Sequence, residues 1–259
     1  MPVIHYPDWD SFEIGSRPAD RPVAFCADLS PASVLGAYRH GVLPFPAPDE
    51  YVRSLHEIRH ERDVADGVIA IVGAADEDPY WAAWWSPDPR PVLDTAAIHL
   101  GRNVRKQLRH DGVRTTANAA FRRVADECRA GREPRWLTDT LLETMVRLHG
   151  EGWVHSIEVW QDEELIGGAF GLAAGCVISG DSLFGRRPEA ARIAVADMAA
   201  RFAQAGGALI DAQWDTPFLR SMGARLIPRT RYLSMLASPA QRRELPGEPL
   251  PAWRLLPPG

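Results

Sequence analysis

The chain has one lysine, Lys106, against 28 arginines, only three cysteines, and no apolar run approaching a bilayer's thickness. Each shortage excludes something. A membrane-spanning helix needs about 20 consecutive apolar residues, and the start, MPVIHYPDWD, lacks the cationic segment followed by an apolar stretch that marks a secretory leader. A soluble cytoplasmic protein is expected. Cys26, Cys128 and Cys176 are odd in number, far apart and without CxxC spacing. They indicate neither a disulfide framework nor a cysteine-based zinc site, and are expected to be reduced, packed thiols. The single lysine means that the arginine abundance is mostly coding bias and cannot by itself be read as phosphate recognition. An excess of positive charge is also missing: the net charge of −5 argues against indiscriminate nucleic-acid binding, although a global sum conceals local patches.

What is present is ample apolar material. With 46% apolar residues in 259, the chain can bury a core in one large domain or two smaller ones. Residues 31–40 (PASVLGAYRH) read as a helix opened by Ser30 and Pro31 and closed by Gly41. YVRSLHEIRHERD (51–63) has helical character, VIAIV (68–72) and WAAWW (81–85) look like buried strands, and the three prolines of SPDPRPVLD place a domain boundary near residue 94. Helices are expected at 99–109, 118–130 and 138–149, the last capped by Thr138. From Trp153 onward three antiparallel strands are expected, separated by the turns DEE and AG. Pro188 and Glu189 open a long apolar helix that Gly206 and Gly207 end. ALIDAQ then reads as a strand, and RYLSML as a last strand completing the sheet. The proline-rich tail, 237–259, is expected to wrap the surface or be disordered. The fold class is α+β: a helix covers one face of a mixed sheet.

Several motifs invite chemistry. HEIRH (56–60) spaces two imidazoles one helical turn apart, with Glu57 as a general base for zinc-bound water. The charged flanks Arg53, Arg59, Arg62 and Asp63 make it read instead as a surface helix, and a third ligand would have to come from Asp76, Glu77 or Asp78. A serine hydrolase built from Ser182, His155 and Asp211 is disfavoured because GDSLFG lacks the G-x-S-x-G elbow spacing. The sheet-then-helix order suits an acyl-CoA acetyltransferase scaffold, yet GRRPEAAR fills the turn with proline and bulky side chains where a pyrophosphate needs an open backbone nest. Arg102, Arg105, Lys106 and Arg109 follow i, i+3, i+4, i+7 spacing, which gathers four cations on one helix face. Such a stripe reads either as a solvated face or as a track for phosphates.

The segments ADLSPASVLGAYRHGVLPF (27–45), WWSPDPRPVL (84–93), RWLTDTLLETMVRLHGEGWVHSIEVWQDEELIGGAFG (135–171), GDSLFGRR (180–187) and LIDAQWDTPFLRSMGARLIPR (209–229) resemble, in order and spacing, the leucyl/phenylalanyl-tRNA–protein transferase family. The resemblance covers most of residues 24–236. It implies a small N-terminal domain (1–94, with an insertion at about 47–80) and a C-terminal acetyltransferase-like (GNAT-like) mixed-sheet domain (95–236). It implies transfer of an aminoacyl group from aminoacyl-tRNA to an amine, without metal or cofactor. By the same resemblance, Asp211 and Gln213 match the family's functional Asp-x-Gln. Trp136 matches a tryptophan that meets the terminal adenosine, and the basic stripe falls where the family's cations face the acceptor stem. Asp181 stands for a family glutamate, Phe45 for a tryptophan, and Ala169, Ile178, Leu183, Val195 and Met198 fall on the apolar amino-acid pocket.

The residues suit that chemistry on their own terms. An aminoacyl ester is already activated, so the protein needs chiefly to dock the 3′ end, hold the ester and help a neutral amine attack. Asp211, at the end of ALID, is placed to accept or relay a proton or to orient Gln213, and Gln213 to hydrogen-bond the reacting carbonyl or the amine. Three functions stay open at this level: acylation of a protein N-terminus that begins with a basic residue, acylation of a small-molecule amine, and catalytically silent binding of tRNA ends. The altered pocket puts leucine or phenylalanine as donor in doubt. The sequence leaves the oligomeric state open.

Overall fold

The computed structural model describes residue 9 and residues 12–73, 77–109, 112–133, 135–236 and 242–256. In chain order the elements are β1 (Ala24–Phe25), α1 (Pro31–Arg39), β2 (Leu43–Pro46), α2 (Glu50–Ala65), β3 (Ala70–Ile71), β4 (Ala82–Trp85), β5 (Arg90–Asp94), α3 (Arg102–Leu108), β6 (Val113–Ala117), α4 (Phe121–Arg129), α5 (Asp139–Gly150), β7 (Val154–Gln161), β8 (Glu164–Ala174), β9 (Val177–Gly185), α6 (Ala190–Gln204), β10 (Leu209–Asp211), α7 (Pro217–Ser221), β11 (Arg225–Ile227), α8 (Arg229–Leu236) and β12 (Leu250–Pro251). They form an α+β fold on two sheets. A four-stranded sheet has the order β2-β4-β1-β3, and an eight-stranded sheet the order β11-β5-β10-β9-β8-β7-β6-β12. The larger sheet takes in β5, which lies on the N-terminal side of residue 94.

Local chemistry accounts for the helix starts. Ser30 Oγ accepts from Ser33 N with Pro31 at the first helical position, and Thr138 Oγ1 accepts from Leu141 N at the head of α5. Helix α4 has no capping side chain of its own. Buried Glu158, from β7, accepts from Ala119 N and Ala120 N at 3.3 Å, while Thr116 Oγ1 donates to it at 2.5 Å and Ser156 Oγ at 2.6 Å. A carboxylate at a helix N-terminus meets both the orphan amides and the helix dipole.

Helix α6 covers one face of the large sheet, with Ile193, Val195, Met198 and Phe202 packed against Ile157, Ala169, Ile178 and Ile210. On the other face, α4 and α5 pack Val124, Met145 and Leu148 on Phe170 and Leu172, in one core with Trp84, Ala24 and Val34 of the N-terminal sheet and α1. Both sheets therefore share buried apolar surface.

Two expectations about elements are corrected. RYLSML is not a strand. Residues 229–236 are helical, and Tyr232 and Leu236, one turn apart, bury the same face, a 3.6-residue period that short apolar runs disguise. Of VIAIV only Ala70–Ile71 pairs, parallel to β1 at the sheet edge, and Ile71 is half exposed. The described part of the tail is ordered against the body. β12 pairs with β6, and the guanidinium of fully buried Arg201 donates to Pro246 O, Glu248 O and Thr115 O while pairing with Asp197 at 2.7 Å.

Candidate active site

The site forms where two strands diverge. β10 runs parallel to β9 only along Leu209–Asp211 and Val177–Ser179; beyond Ser179, β9 continues along β8 alone while the other chain turns away at Ala212. Within that stretch the β8–β9 register jumps from Phe170↔Ser182 to Gly171↔Gly180, leaving Asp181 without an opposite residue. A bulge of this kind bends the strand and re-aims a side chain. Gly171 permits it, because a Cβ there would lie 2.0 Å from Ser179 O.

The bulge carries Asp181 into a buried polar cluster. Tyr38 Oη, from α1, donates to Asp181 Oδ1 at 2.9 Å, and Gln213 Nε2 donates to the same oxygen at 2.6 Å and to Ser179 Oγ at 3.0 Å. Asp181 Oδ2 is buried without a hydrogen-bond partner among the described residues. Burial pushes the Asp181 carboxyl up to about 8; the hydrogen bonds from Tyr38, Ser179 and Gln213 oppose the shift, and nearby Asp211 adds to it. Near neutral pH it is therefore mostly a neutral acid.

Gln213 adopts φ +58°, a left-handed conformation uncommon for a side-chain-bearing residue. Asp211 holds it there, its Oδ1 accepting from Gln213 N at 2.9 Å. The other oxygen, Oδ2, accepts from Arg90 Nε at 3.1 Å and Tyr232 Oη at 2.8 Å, and Arg90 Nη2 lies 2.9 Å from it as an ion-pair contact. The side chains of Arg90 and Asp211 are wholly buried. With Nε2 bonded to Ser179 and Asp181, the amide Oε1 accepts no hydrogen bond from the described residues.

At the rim, four aromatic rings from four segments form an arc. Phe45 lies 6.2 Å from Trp136 and 5.8 Å from Trp214, and Trp85 lies 6.1 Å from Trp214. Trp214 is 43% exposed. Ala169, Ile178, Val195 and Met198 are buried in one apolar cluster between the sheet and α6, with Leu183, which pairs with Ala169 across β8–β9, partly buried beside them. The basic stripe lies on α3 and its C-cap. Val104 and Leu108 face inward, Arg102, Lys106 and Arg109 outward, and Arg105 Nε donates to Leu100 O. A groove of about 400 Å³ runs past Arg102, Arg105 and Arg109. A second, of about 330 Å³, continues from Arg102 to Arg192 at the start of α6.

The competing motifs do not assemble. Ser182 lies opposite Phe170, itself opposite Ser156, so β8 stands between that serine and the strand of His155; His155 Nδ1 meets Asn118, and Asp211 is held by Arg90. His56 Nδ1 meets Tyr80 O at 2.8 Å, Glu57 pairs with Arg53, and both His56 and His60 pack on Phe25. Among the described residues no group of three or more His, Cys, Asp or Glu is placed to hold a metal ion. Asp76 lies outside the described residues. Arg90, Tyr232, Tyr38, Ser179 and Trp214 were not foreseen from the sequence. A polar residue inside a strongly apolar or proline-bounded segment, such as Arg90 after SPDP, is the signal that was available.

Comparison with known proteins places this geometry in a class of aminoacyl-group transferases. The family model "Leucyl/phenylalanyl-tRNA protein transferase" matches residues 92–237. Curated proteins of that name are similar along most of the chain. The one from Chromohalobacter salexigens is 37% identical, covering 90% of this chain and 80% of its own length. Those from Thiobacillus denitrificans and Erwinia tasmaniensis are 36% and 37% identical, covering 87% and 85% of this chain and 87% and 83% of their own lengths. The chain belongs to the leucyl/phenylalanyl-tRNA–protein transferase family. It is an enzyme, in a family that takes its amino acid from aminoacyl-tRNA and gives it to a protein N-terminus. No helix of the described residues is long and apolar enough to cross a membrane.

Proposed function

We propose that this chain is a cytoplasmic transferase that moves an apolar amino acid from the 3′ end of tRNA to the N-terminal amine of a protein beginning with a basic residue. The observation that carries the reading is a pair of side-chain atoms without a hydrogen-bond partner among the described residues, Asp181 Oδ2 and Gln213 Oε1, joined through the Gln213 Nε2–Asp181 Oδ1 bond where β9 and β10 diverge, with Asp181 on the strand that also carries Ile178 and Leu183 of the apolar cluster. Asp181 Oδ2 meets the α-amino nitrogen of the donor, the neutral carboxyl donating its proton to that amine, and the donor side chain enters the cluster of Ala169, Ile178, Leu183, Val195 and Met198. Gln213 Oε1 accepts an N–H of the attacking amine and aims its lone pair at the ester carbonyl. The new C–N bond forms as the ester C–O bond breaks, and the proton shed by the amine ends on the leaving ribose oxygen. No covalent enzyme intermediate is required, since the ester is already activated.

Incubation with a panel of charged tRNAs and acceptor peptides, read by mass spectrometry, tests this directly. An added apolar residue on peptides with a basic first residue is the expected result. Absence of transfer to any peptide or cell extract sinks it.

Two further outcomes follow from placing the nucleic acid. Phe45, Trp136 and Trp214 form the platform for the terminal base, where stacking is worth about 1–3 kcal/mol per base. Trp214→Ala is therefore expected to raise KM for an aminoacyl-adenosine donor by roughly tenfold, with KM for the acceptor peptide unchanged; the reverse pattern would assign Trp214 to the acceptor. Arg102 and Arg109 meet acceptor-stem phosphates. Replacing both with alanine is expected to flatten the salt dependence of tRNA binding by about 0.7–0.9 in log–log slope per lost contact. An aminoacyl-adenosine donor, which has no stem, should be used as before, and an equal loss with that donor would place the two arginines at the reacting end instead.

A further inference from the structure

The proposed chemistry depends on Gln213 keeping a backbone conformation that an isolated glutamine avoids, and the structure shows a buried apparatus for holding it. Asp211 Oδ2 takes two donors, Arg90 Nε and Tyr232 Oη, with Arg90 Nη2 in ion-pair contact at 2.9 Å, leaving Oδ1 to grip Gln213 N at 2.9 Å. The clamp is itself anchored on three sides. Arg90 Nη2 also donates to Gly41 O at 3.2 Å, just beyond α1; the guanidinium carbon lies 4.3 Å from the centroid of the Tyr232 ring; and Tyr232 is fixed in the core by α8. Every member is at most 2% exposed. Within this set the side-chain polar atom without a hydrogen-bond partner among the described residues is Arg90 Nη1, which is buried.

We infer that Arg90 and Tyr232 are positioning residues of the transfer reaction: they lock Asp211 as an anchor for the left-handed turn at Gln213, so that Asp211 holds geometry and does not itself take a proton. This rests on the reading of Gln213 as the group that meets the attacking amine. The physical case is one of occupancy. A proton acceptor needs a lone pair directed at the proton's source within hydrogen-bond reach, whereas the Asp211 oxygens are turned to three hydrogen-bond donors and a second guanidinium nitrogen of the protein itself. Burial works against the Arg90 charge, and Asp211 and Tyr232 more than offset it, so the Arg90 pKa is raised and the guanidinium stays charged. Burial, with Asp211 adding to it, also drives the Tyr232 phenol well above its ordinary value, so it remains a donor throughout the working pH range.

The test uses Tyr232→Phe and Arg90→Lys in the full chain. Tyr232→Phe deletes one donor and keeps the ring beneath Arg90. Arg90→Lys keeps the charge, loses the second nitrogen on Oδ2, and forfeits no contact at Nη1 because none exists there. Both variants are expected to lower kcat, by about tenfold for Tyr232→Phe and more for Arg90→Lys, with KM for aminoacyl-tRNA and for peptide within about twofold. The acid limb of the kcat profile is expected to stay where it is in the parent. Deuterium uptake by the backbone amides of residues 212–216 is expected to quicken severalfold in both. Unchanged uptake with unchanged kcat would overturn the inference, as would an acid limb moved upward in Tyr232→Phe, which would mean that Asp211 titrates during turnover. Should the parent chain prove inactive with every charged tRNA, the functional reading fails, while the exchange measurement still decides whether the clamp holds the turn.

Discussion

Asp211→Ala is expected to destabilise the protein by about 3–5 kcal/mol, because it strands the Arg90 guanidinium in the core without a counter-charge. The side chains of both partners are fully buried, so no solvent reaches the orphaned cation. For a chain of this size the loss corresponds to a melting temperature lower by roughly 10 °C. Transfer is lost as well, since Gln213 N and Tyr232 Oη lose their acceptor together. Gln213→Ala behaves differently. It keeps the Asp211–Arg90–Tyr232 set intact, leaves at φ +58° a residue with about the same left-handed penalty as the glutamine it replaces, and is expected to slow transfer while leaving tRNA affinity unchanged. Thermal melts and single-turnover transfer on the two variants separate a structural loss from a chemical one. A melting temperature for Asp211→Ala within 2 °C or so of the parent would refute the buried-charge argument. The double variant Arg90→Met/Asp211→Leu sharpens it, because apolar replacement of a whole buried ion pair is often neutral or stabilising. It should recover much of the melting temperature and none of the activity.

The sequence placed Asp211 and Gln213 two residues apart and read both as groups of the reaction, and what distinguishes them in the structure is partners far away along the chain. Arg90 reaches Asp211 across 121 residues and Tyr38 reaches Asp181 across 143, and no periodicity or capping rule connects such partners. What was legible was local. Ser30 with Pro31, Thr138 at α5, the turns of the β7–β9 meander and the glycines after α6 each act within a few residues, and those elements lie within a few residues of where they were expected. The bulge at Asp181 was not legible, because GDSLF reads as an unbroken strand until Gly171 on the neighbouring strand is known to approach Ser179 O. RYLSML misled for a related reason: six residues are too few to tell a two-residue from a 3.6-residue period, and only the demand of Asp211 for the Tyr232 hydroxyl shows which face turns inward. HEIRH had ligand spacing, but the imidazoles are turned to Tyr80 O and to Phe25.

Asp181→Asn should make the protein more stable at neutral pH while abolishing most transfer. The folded-state carboxyl is raised to about 8 from an ordinary value of 3.8, chiefly by burial. A raised pKa contributes stability that is fully present below the unfolded value and lost as pH climbs through the folded one, at about 1.4 kcal/mol per pH unit between roughly 4 and 8. Asparagine carries no proton to lose. Its Oδ1 still accepts from Tyr38 and Gln213, and its Nδ2 takes the place of the unpartnered Oδ2. His155 supplies the opposite slope. Burial, with nearby His149 adding to it, lowers its imidazole to about 4 from 6.5, so its contribution is lost as pH falls from 6.5 towards 4. Between those values the folded parent holds one proton on Asp181 and the unfolded chain holds one on His155, so the two slopes cancel and these groups leave stability nearly flat. Above 6.5 only the Asp181 slope remains and the parent weakens towards pH 8. In Asp181→Asn the cancellation is gone: stability should rise from pH 4 to 6.5 and stay level beyond, with the variant exceeding the parent by several kcal/mol at pH 8. Denaturant titrations of both proteins at pH 4.5, 6.5 and 8 measure this. Parallel curves would show that Asp181 is already ionised in the empty site. The diverging curves expected here would show that the folded protein carries Asp181 as a neutral acid well above the ordinary carboxyl range, a burden on stability that asparagine does not bring.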